Sequence, residues 1–265
     1  MSLRHPRFPD PVAAKVPEVT VLFWVIKVLT TGMGEAASDY LGNTSLVLGG
    51  LVGVGGFGLA MWLQLRSTRY AAQTYWFAVA MVAVFGTMVA DILHVATSLS
   101  YWVTSAFYAV AVGVCFVLWR RSEGTLSVHS IVTARRERFY WCTVLATFAL
   151  GTAVGDLTGM TVGLGFFSSG VMFAVAILVP LVAWRLGANP VLTFWTAYVL
   201  TRPLGASFAD WFGKERSIGG GLGFGDGTVT AVMLVLIVLL VLYAALSGTD
   251  AQPEHDELVP AATSA

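Results

Sequence analysis

The stretch FWVIKVLTTGMGEAASD, residues 23–39, sets the plan of the whole chain. It opens on an aromatic–Trp pair, places Gly34 ten residues after Trp24, and ends on Asp39, fifteen after it. The spacing recurs without a gap at Tyr75-Trp76 (Gly86, Asp91), at Tyr140-Trp141 (Gly151, Asp156) and at Phe194-Trp195 (Gly205, Asp210). The four Trp residues lie 52, 65 and 54 positions apart. The chain therefore reads as four tandem copies of one unit.

Composition says what the unit is made of. Of 265 residues, 57% are hydrophobic and 11% charged, roughly half the charged share of an ordinary soluble domain. The formal net charge is zero and no sizeable basic patch exists, so nothing points to nucleic acid. Cys115 and Cys142 lie inside apolar runs, where a thiol behaves as a small hydrophobe and implies neither a disulfide framework nor a zinc site. The first twenty residues carry four prolines and lack the basic-then-apolar order of a cleaved signal. The first span is therefore expected to act as the membrane signal.

Eight apolar stretches can each cross about 30 Å of hydrocarbon as a helix of about 20 residues. They are 20–41, 45–64, 71–96, 100–119, 138–158, 161–184, 190–212 and 227–247. The expected fold is an all-α polytopic membrane protein of eight transmembrane helices, arranged as four tandem two-helix repeats. Those repeats are 20–65, 66–121, 138–185 and 186–247, with a tail at 1–19, a polar loop at 122–137 and an acidic, disordered tail at 248–265. Each motif occupies an odd-numbered span. The odd spans should form an inner layer, with the even spans outside.

Orientation follows from the basic residues. Arg4, Arg7, Lys15, Arg66, Arg69, Arg120, Arg121, Arg135, Arg136, Arg138 and Arg185 fall on one side, against Lys214 and Arg216 on the other. Both termini are then cytoplasmic and the Asp ends face outward. Because every repeat has two spans, all four share one orientation, as in transporters built from parallel repeats. Trp62, Trp119, Trp184 and Tyr243 end the even spans as interface aromatics, and the glycines from Gly49 to Gly58 suit close helix packing.

Helical phase places the chemistry. At about 100° per residue, each Asp lies near 60° from its Trp, with Lys27 near 300°, Glu35 near 20°, Arg202 near 340° and His94 near 0°. Every ionisable group of the odd spans thus shares one face. Thr30, Thr147 and Thr201 lie beside it, near 240°. Leaving such groups in lipid would cost about 2.5–3.5 kcal/mol each, so these faces should meet inside the bundle. Lys27 and Arg202 can neutralise two of the five acids as internal counter-charges. The remaining carboxylates must be protonated, hydrated or bound to cations.

Carboxylates with one imidazole suit hard or borderline ions such as Mn²⁺ or Mg²⁺. The candidate ligands are Asp39, Asp91, Asp156, Asp210, Glu35 and His94. The other repeats carry Gly42, Gly159 and Gly213 where His94 stands. Trp24, Trp76, Trp141 and Trp195 read either as interface anchors or as an inward ring that narrows a pathway. The leading expectation is a transporter or exporter of a small cation, divalent and coupled to protons, with no cofactor and no enzymatic role. The alternatives are a membrane scaffold or sensor with a structural polar core and, more remotely, an intramembrane aspartyl protease. The last rests on Gly223-Phe224-Gly225-Asp226, a Gly-x-Gly-Asp string with Asp210 or Asp156 as second acid. Against it, Gly163-Leu164-Gly165-Phe166 pairs with Gly221-Leu222-Gly223-Phe224 as one element of two repeats, lacking the Asp in the first.

The chain resembles the bacterial four-repeat membrane-anchored proteins of unknown function, whose repeat has two transmembrane segments and a characteristic Trp. The resemblance runs over about residues 17–247 and is best defined at Val16 to Leu41 and Leu192 to Phe212. Its most specific pieces are Phe23-Trp24 through Glu35-Ala-Ala-Ser-Asp39-Tyr40, and Arg202-Pro203-Leu204-Gly205-Ala206-Ser207. It implies the repeat count and a bacterial inner-membrane location. It brings no activity.

Overall fold

The computed structural model describes residues 14–252. Eight long helices follow in order: α1 (Val21–Thr44), α2 (Leu46–Arg66), α3 (Ala72–Thr97), α4 (Tyr101–Glu123), α5 (Ala134–Thr161), α6 (Phe166–Arg185), α7 (Pro190–Gly213) and α8 (Asp226–Ser247). α2 contains a π-helical turn at Leu51–Gly55, and α5 ends in one at Leu157–Thr161. No strand occurs among the described residues. Local signals explain where helices begin. Side-chain oxygens of Thr20, Ser45, Thr133 and Asn189 accept first-turn N–H groups of α1, α2, α5 and α7, as N-caps do. All but α7 are long and apolar enough to cross a membrane. α7 has the same length but carries Arg202, Pro203 and Asp210 among its apolar residues.

The odd helices form the inner layer. In the apolar windows of α1, α3 and α5, 50–67% of residues are buried, against 17–28% in α2, α4, α6 and α8. Two closed rings tie the inner helices together. At one end the aromatic before each motif Trp meets the Trp of the next repeat. Phe23 lies 5.6 Å from Trp76, Tyr75 lies 5.6 Å from Trp141, Tyr140 lies 6.1 Å from Trp195, and Phe194 lies 5.6 Å from Trp24. These tilted contacts fall within the range of favourable aromatic pairs. They make an eight-ring aromatic collar, braced by a 2.5 Å contact between the hydroxyls of Tyr75 and Tyr140.

Three helical turns above the collar, the motif glycines make the second ring. A Cβ on Gly34 would sit 2.3 Å from Ala83, on Gly86 2.7 Å from Phe148, on Gly151 2.1 Å from Arg202, and on Gly205 1.9 Å from Thr31. Each neighbour stands seven residues after its own Trp. Glycine ten of one repeat therefore abuts residue seven of the next, four times, with the fourth repeat closing on the first. Identical register at every seam requires the four inner helices to run parallel. The outer helices obey the same rotation: α2 packs chiefly on α3, α4 on α5, α6 on α7, and α8 on α1. Each repeat thus covers its neighbour.

Several expectations change. Trp119 is fully buried against Tyr140 and Trp195 rather than facing an interface. Trp62 and Trp184 remain exposed, with Arg66 and Arg185 over their rings at 4.5 and 5.5 Å. Of the α2 glycines, Gly53 and Gly56 press on the flexible Met88 and Met81, whereas Gly50, Gly55 and Gly58 have open space around them. Lys15 is buried, paired with Glu137 at 2.5 Å and donating to the Gln64 and Ser67 carbonyls. The polar loop shrinks because α4 runs to Glu123 and α5 begins at Ala134.

Within 248–252, Asp250 is buried and Gln252 half-buried, while Gly248, Thr249 and Ala251 are exposed. Asp250 accepts from the Tyr70 hydroxyl, its carbonyl accepts from Glu18 N at 2.8 Å, and Gln252 donates to the Val16 carbonyl at 3.0 Å. Both ends of the described chain therefore meet at the collar end. Arg4, Arg7 and the acids beyond Gln252 lie outside the described residues.

The ring makes a direct demand on its glycines. Gly205→Ala should lower stability by about 1–3 kcal/mol, as overpacking does. Gly113→Ala, on an exposed helix face with nothing within 4 Å, should be neutral or stabilising by up to about 1 kcal/mol. Thermal melting in one detergent compares the two; equal melting temperatures would contradict the close seam.

A polar column ending in a carboxylate cluster

The inner faces build one polar column from collar to opposite end. Lowest is Lys27, 1% exposed, whose Nζ has no hydrogen-bond partner among the described residues. It lies over the rings of Phe148 and Tyr198, 4.3 Å from each centroid, so aromatic faces supply its electrostatic contact. Lys27 is thus not an ion-pair partner, contrary to the sequence expectation. Phe148 is shared with Arg202, whose guanidinium carbon lies 5.3 Å from the same ring.

Arg202 spans the axis one level higher. Its Nη2 donates to Glu35 Oε2 and to Thr152 Oγ1, both at 2.7 Å, and to Thr87 Oγ1; its Nη1 donates to the Thr31 carbonyl at 3.3 Å. All four side chains of this knot are buried. Glu35, Thr87 and Thr152 each stand eleven residues after their Trp. Sequence reading missed both threonines, although that common offset was visible. In the fourth repeat the position is Ala206, small enough to let the guanidinium lie across the axis. Such a pair carries a large desolvation cost, offset only where its polar atoms are hydrogen-bonded. Here the two hydroxyls share that work. Thr30, Thr147 and Thr201 turn away, each bonding the carbonyl three residues earlier in its own helix.

Above the knot the acids gather. One carboxylate oxygen from each of Glu35, Asp39 and Asp210 lies within 4.8 Å of the others. Asp91 and Asp156 stay outside this set but within electrostatic range of Glu35 and of Asp39. Four equivalent Asp thus share a level, while only two of them, from the seam between repeats four and one, join Glu35. His94 is elsewhere, stacked on Tyr101 with centroids 3.9 Å apart. Asp210 is 4% exposed. Among the described residues its carboxylate accepts no hydrogen bond.

The cation at this cluster is a residue that the sequence marks only as one of two basic residues on the outer side. Lys214, on the α7–α8 loop, donates to Asp39 Oδ2 and, at 3.2 Å, to Asp226 Oδ2. Burial opposes its charge, but Asp39 and Asp210, then the hydrogen bond to Asp39 and the charge of Asp226, outweigh it and hold the ammonium pKa above the usual lysine range. The loop is folded back on α7: Leu222 N donates to the Trp211 carbonyl, Gly223 N to that of Lys214 and Gly225 N to that of Gly213. Gly219, Gly220, Gly223 and Gly225 have φ of 60–85°, a region that favours glycine.

The same loop corrects the glycine alignment. Gly163 and Gly165 (φ 77° and 75°) match Gly223 and Gly225 (φ 79° and 85°). Phe166 is therefore the counterpart of Asp226, not of Phe224. The seats agree, since a Cβ on Gly159 would strike Phe166 and one on Gly213 would strike Asp226. Asp226 is in an ion pair with Lys214, a geometry unlike a proton-sharing carboxyl dyad.

This is an all-helical fourfold repeat bundle with a closed aromatic end and a carboxylate-rich opposite end. The chain belongs to the family described as Repeat of Unknown Function (DUF347), which matches four times, at residues 22–70, 74–125, 139–187 and 193–249. No curated protein and no solved structure matches it.

The Arg202 knot should be sensitive to half-removal. Arg202→Met alone leaves a buried carboxylate and should destabilise by about 3–5 kcal/mol. Adding Glu35→Gln should recover much of that loss in the double variant, measured by thermal melting in detergent. A strictly additive double variant would contradict the pair.

Proposed function

We propose that this protein is a bacterial inner-membrane carrier of a small hard cation, divalent and Mn²⁺-like, exchanged against protons at Glu35, Asp39 and Asp210. The observation that carries the proposal is Asp210. A carboxylate of a residue only 4% exposed, with no protein donor among the described residues and two other carboxylates within 4.8 Å, favours a proton or a cation in its place. Three carboxylates match the oxygen-rich coordination of Mn²⁺, Mg²⁺ or Ca²⁺. A cation entering would be shared by α1 and α7, and the charge it brings would loosen Glu35 from Arg202. Asp91 and Asp156 would then serve as proton-exchanging neighbours and as a negative vestibule that draws cations in.

Two further features support a carrier rather than an open channel. The axis is filled by the Arg202 knot, by Lys27 between its two rings and by the aromatic collar. Basic loops cluster at the collar end, which by the positive-inside bias is cytoplasmic. This conformation would then be closed inward, with its acidic end outward and both termini in the cytoplasm. A second reading, a scaffold or sensor with a structural polar core, draws on the Arg202 knot, whose Nη2 bonds to three repeats at once.

Flux of Mn²⁺ and of protons into proteoliposomes separates the two. Wild type should carry Mn²⁺ above empty vesicles, while Asp210→Asn and Asp39→Asn should each fall about tenfold or more, at least the scale of losing an outer-shell partner of a metal ligand. His94→Ala should stay near wild type. Absence of wild-type flux, or equal flux in folded Asp variants, favours the scaffold.

A further inference from the structure

The cluster has a built-in occupant, and its placement points to how binding is controlled. Lys214 Nζ bonds Asp39, the same carboxylate that lies within 4.8 Å of Glu35 and Asp210. An ammonium and a metal cation compete for the same oxygens, because each needs the lone pairs that the other would use. Lys214 is not a feature of the repeat; the equivalent positions nineteen after Trp are Asn43, Val95 and Met160. It stands directly after the last turn of α7, whose backbone end is bonded to the folded-back loop.

The loop packs closely around this lysine. A Cβ on Gly221 would fall 2.0 Å from the Lys214 carbonyl, and one on Gly213 2.4 Å from Asp226 Oδ1. The loop backbone and Asp226 therefore close tightly around the root of the lysine. Asp226 supplies a second acceptor outside the three-carboxylate set, and one of its oxygens is buried without a partner among the described residues. An ammonium leaving Asp39 thus has a seat beside it, on the free capacity of Asp226.

We infer that Lys214 is a tethered competitor at the carboxylate cluster, which a divalent cation must displace from Asp39 towards Asp226 in order to bind. The inference rests on the proposed cation site and adds its regulation. Lys214 sets the apparent affinity: it keeps the acids compact when no cation is bound and excludes cations too weakly charged to displace it. If the lysine holds Asp39 nine-tenths of the time, apparent affinity falls about tenfold relative to the uncovered site.

Calorimetric titration of Mn²⁺ into the full chain in detergent tests it, with Asp210→Asn as the reference for loss of the site. Lys214→Gln should bind Mn²⁺ about tenfold more tightly than wild type, while Lys214→Arg keeps the positive charge and should stay close to wild type. Mn²⁺ should also change the reductive methylation of Lys214 in the wild-type protein, read by peptide mass spectrometry, because the ammonium exchanges its Asp39 contact for Asp226. Lys15 and Lys27, the two other lysines and both 1% exposed, serve as internal controls; this second readout needs no variant to fold. Binding that is equal or weaker in Lys214→Gln, or methylation indifferent to Mn²⁺, overturns the competitor role and leaves the cation site standing. Failure of both wild type and Lys214→Gln to bind Mn²⁺ overturns the site and the inference together.

Discussion

The distance of closest approach between neighbouring inner helices governs the rest of this molecule. At each seam a glycine lets the next helix come so near that no Cβ fits between them. In a lipid-like setting, where apolar burial does not drive helices together, such backbone proximity supplies the packing contact. Four equal seams close a ring, and a closed ring defines an axis. Residues three, seven, eleven and fifteen after each Trp lie along the faces that the ring turns inward. The aromatic collar fills the same axis at one end with bulk that four small residues could not provide. The outer helices then cover the next repeat rather than their own, which interlocks the units.

Fourfold repetition of the backbone is combined with deliberate asymmetry on the axis. Seven residues after Trp the four repeats carry Thr31, Ala83, Phe148 and Arg202; eleven after Trp they carry Glu35, Thr87, Thr152 and Ala206. Four copies of a charged residue on one axis would repel, and four copies of a large one would not fit. One long cation reaching across to one acid and two hydroxyls satisfies both limits. The small Ala206 gives it room. The result gathers three carboxylates at one seam, where α7 meets α1 and where Asp39 and Asp210 join Glu35, although the aspartate itself occurs in every repeat.

Much of this was legible in the residues. A gapless Trp–Gly–Asp spacing revealed the repeat, and apolar run length revealed eight helices within a few residues of their ends. Helical phase grouped the ionisable side chains on one face, because their offsets are set by 3.6-residue periodicity and need no tertiary knowledge. The same periodicity contained the threonines at eleven, overlooked because hydroxyls cost less to bury than charges and so attract less notice. Phase could not say which groups meet. Lys27 and Arg202 share the acidic face, yet one rests between aromatic rings and the other holds Glu35, since height along the axis and the size of neighbouring side chains decide partners.

What the sequence determined by itself is the local and periodic part: the repeat, the helices, their parallel sense, and the face each turns inward. These depend on spacing along one chain. The tertiary structure alone decided the pairings across the axis, the burial of Trp119 and Lys15, the stacking of His94 on Tyr101, and the arrival of Lys214 at Asp39 over 175 residues. That last contact depends on four left-handed glycines folding a loop back over a ring that exists only once all four repeats have closed. No periodicity along the chain encodes it, because its geometry is a property of the closed ring and not of any one repeat.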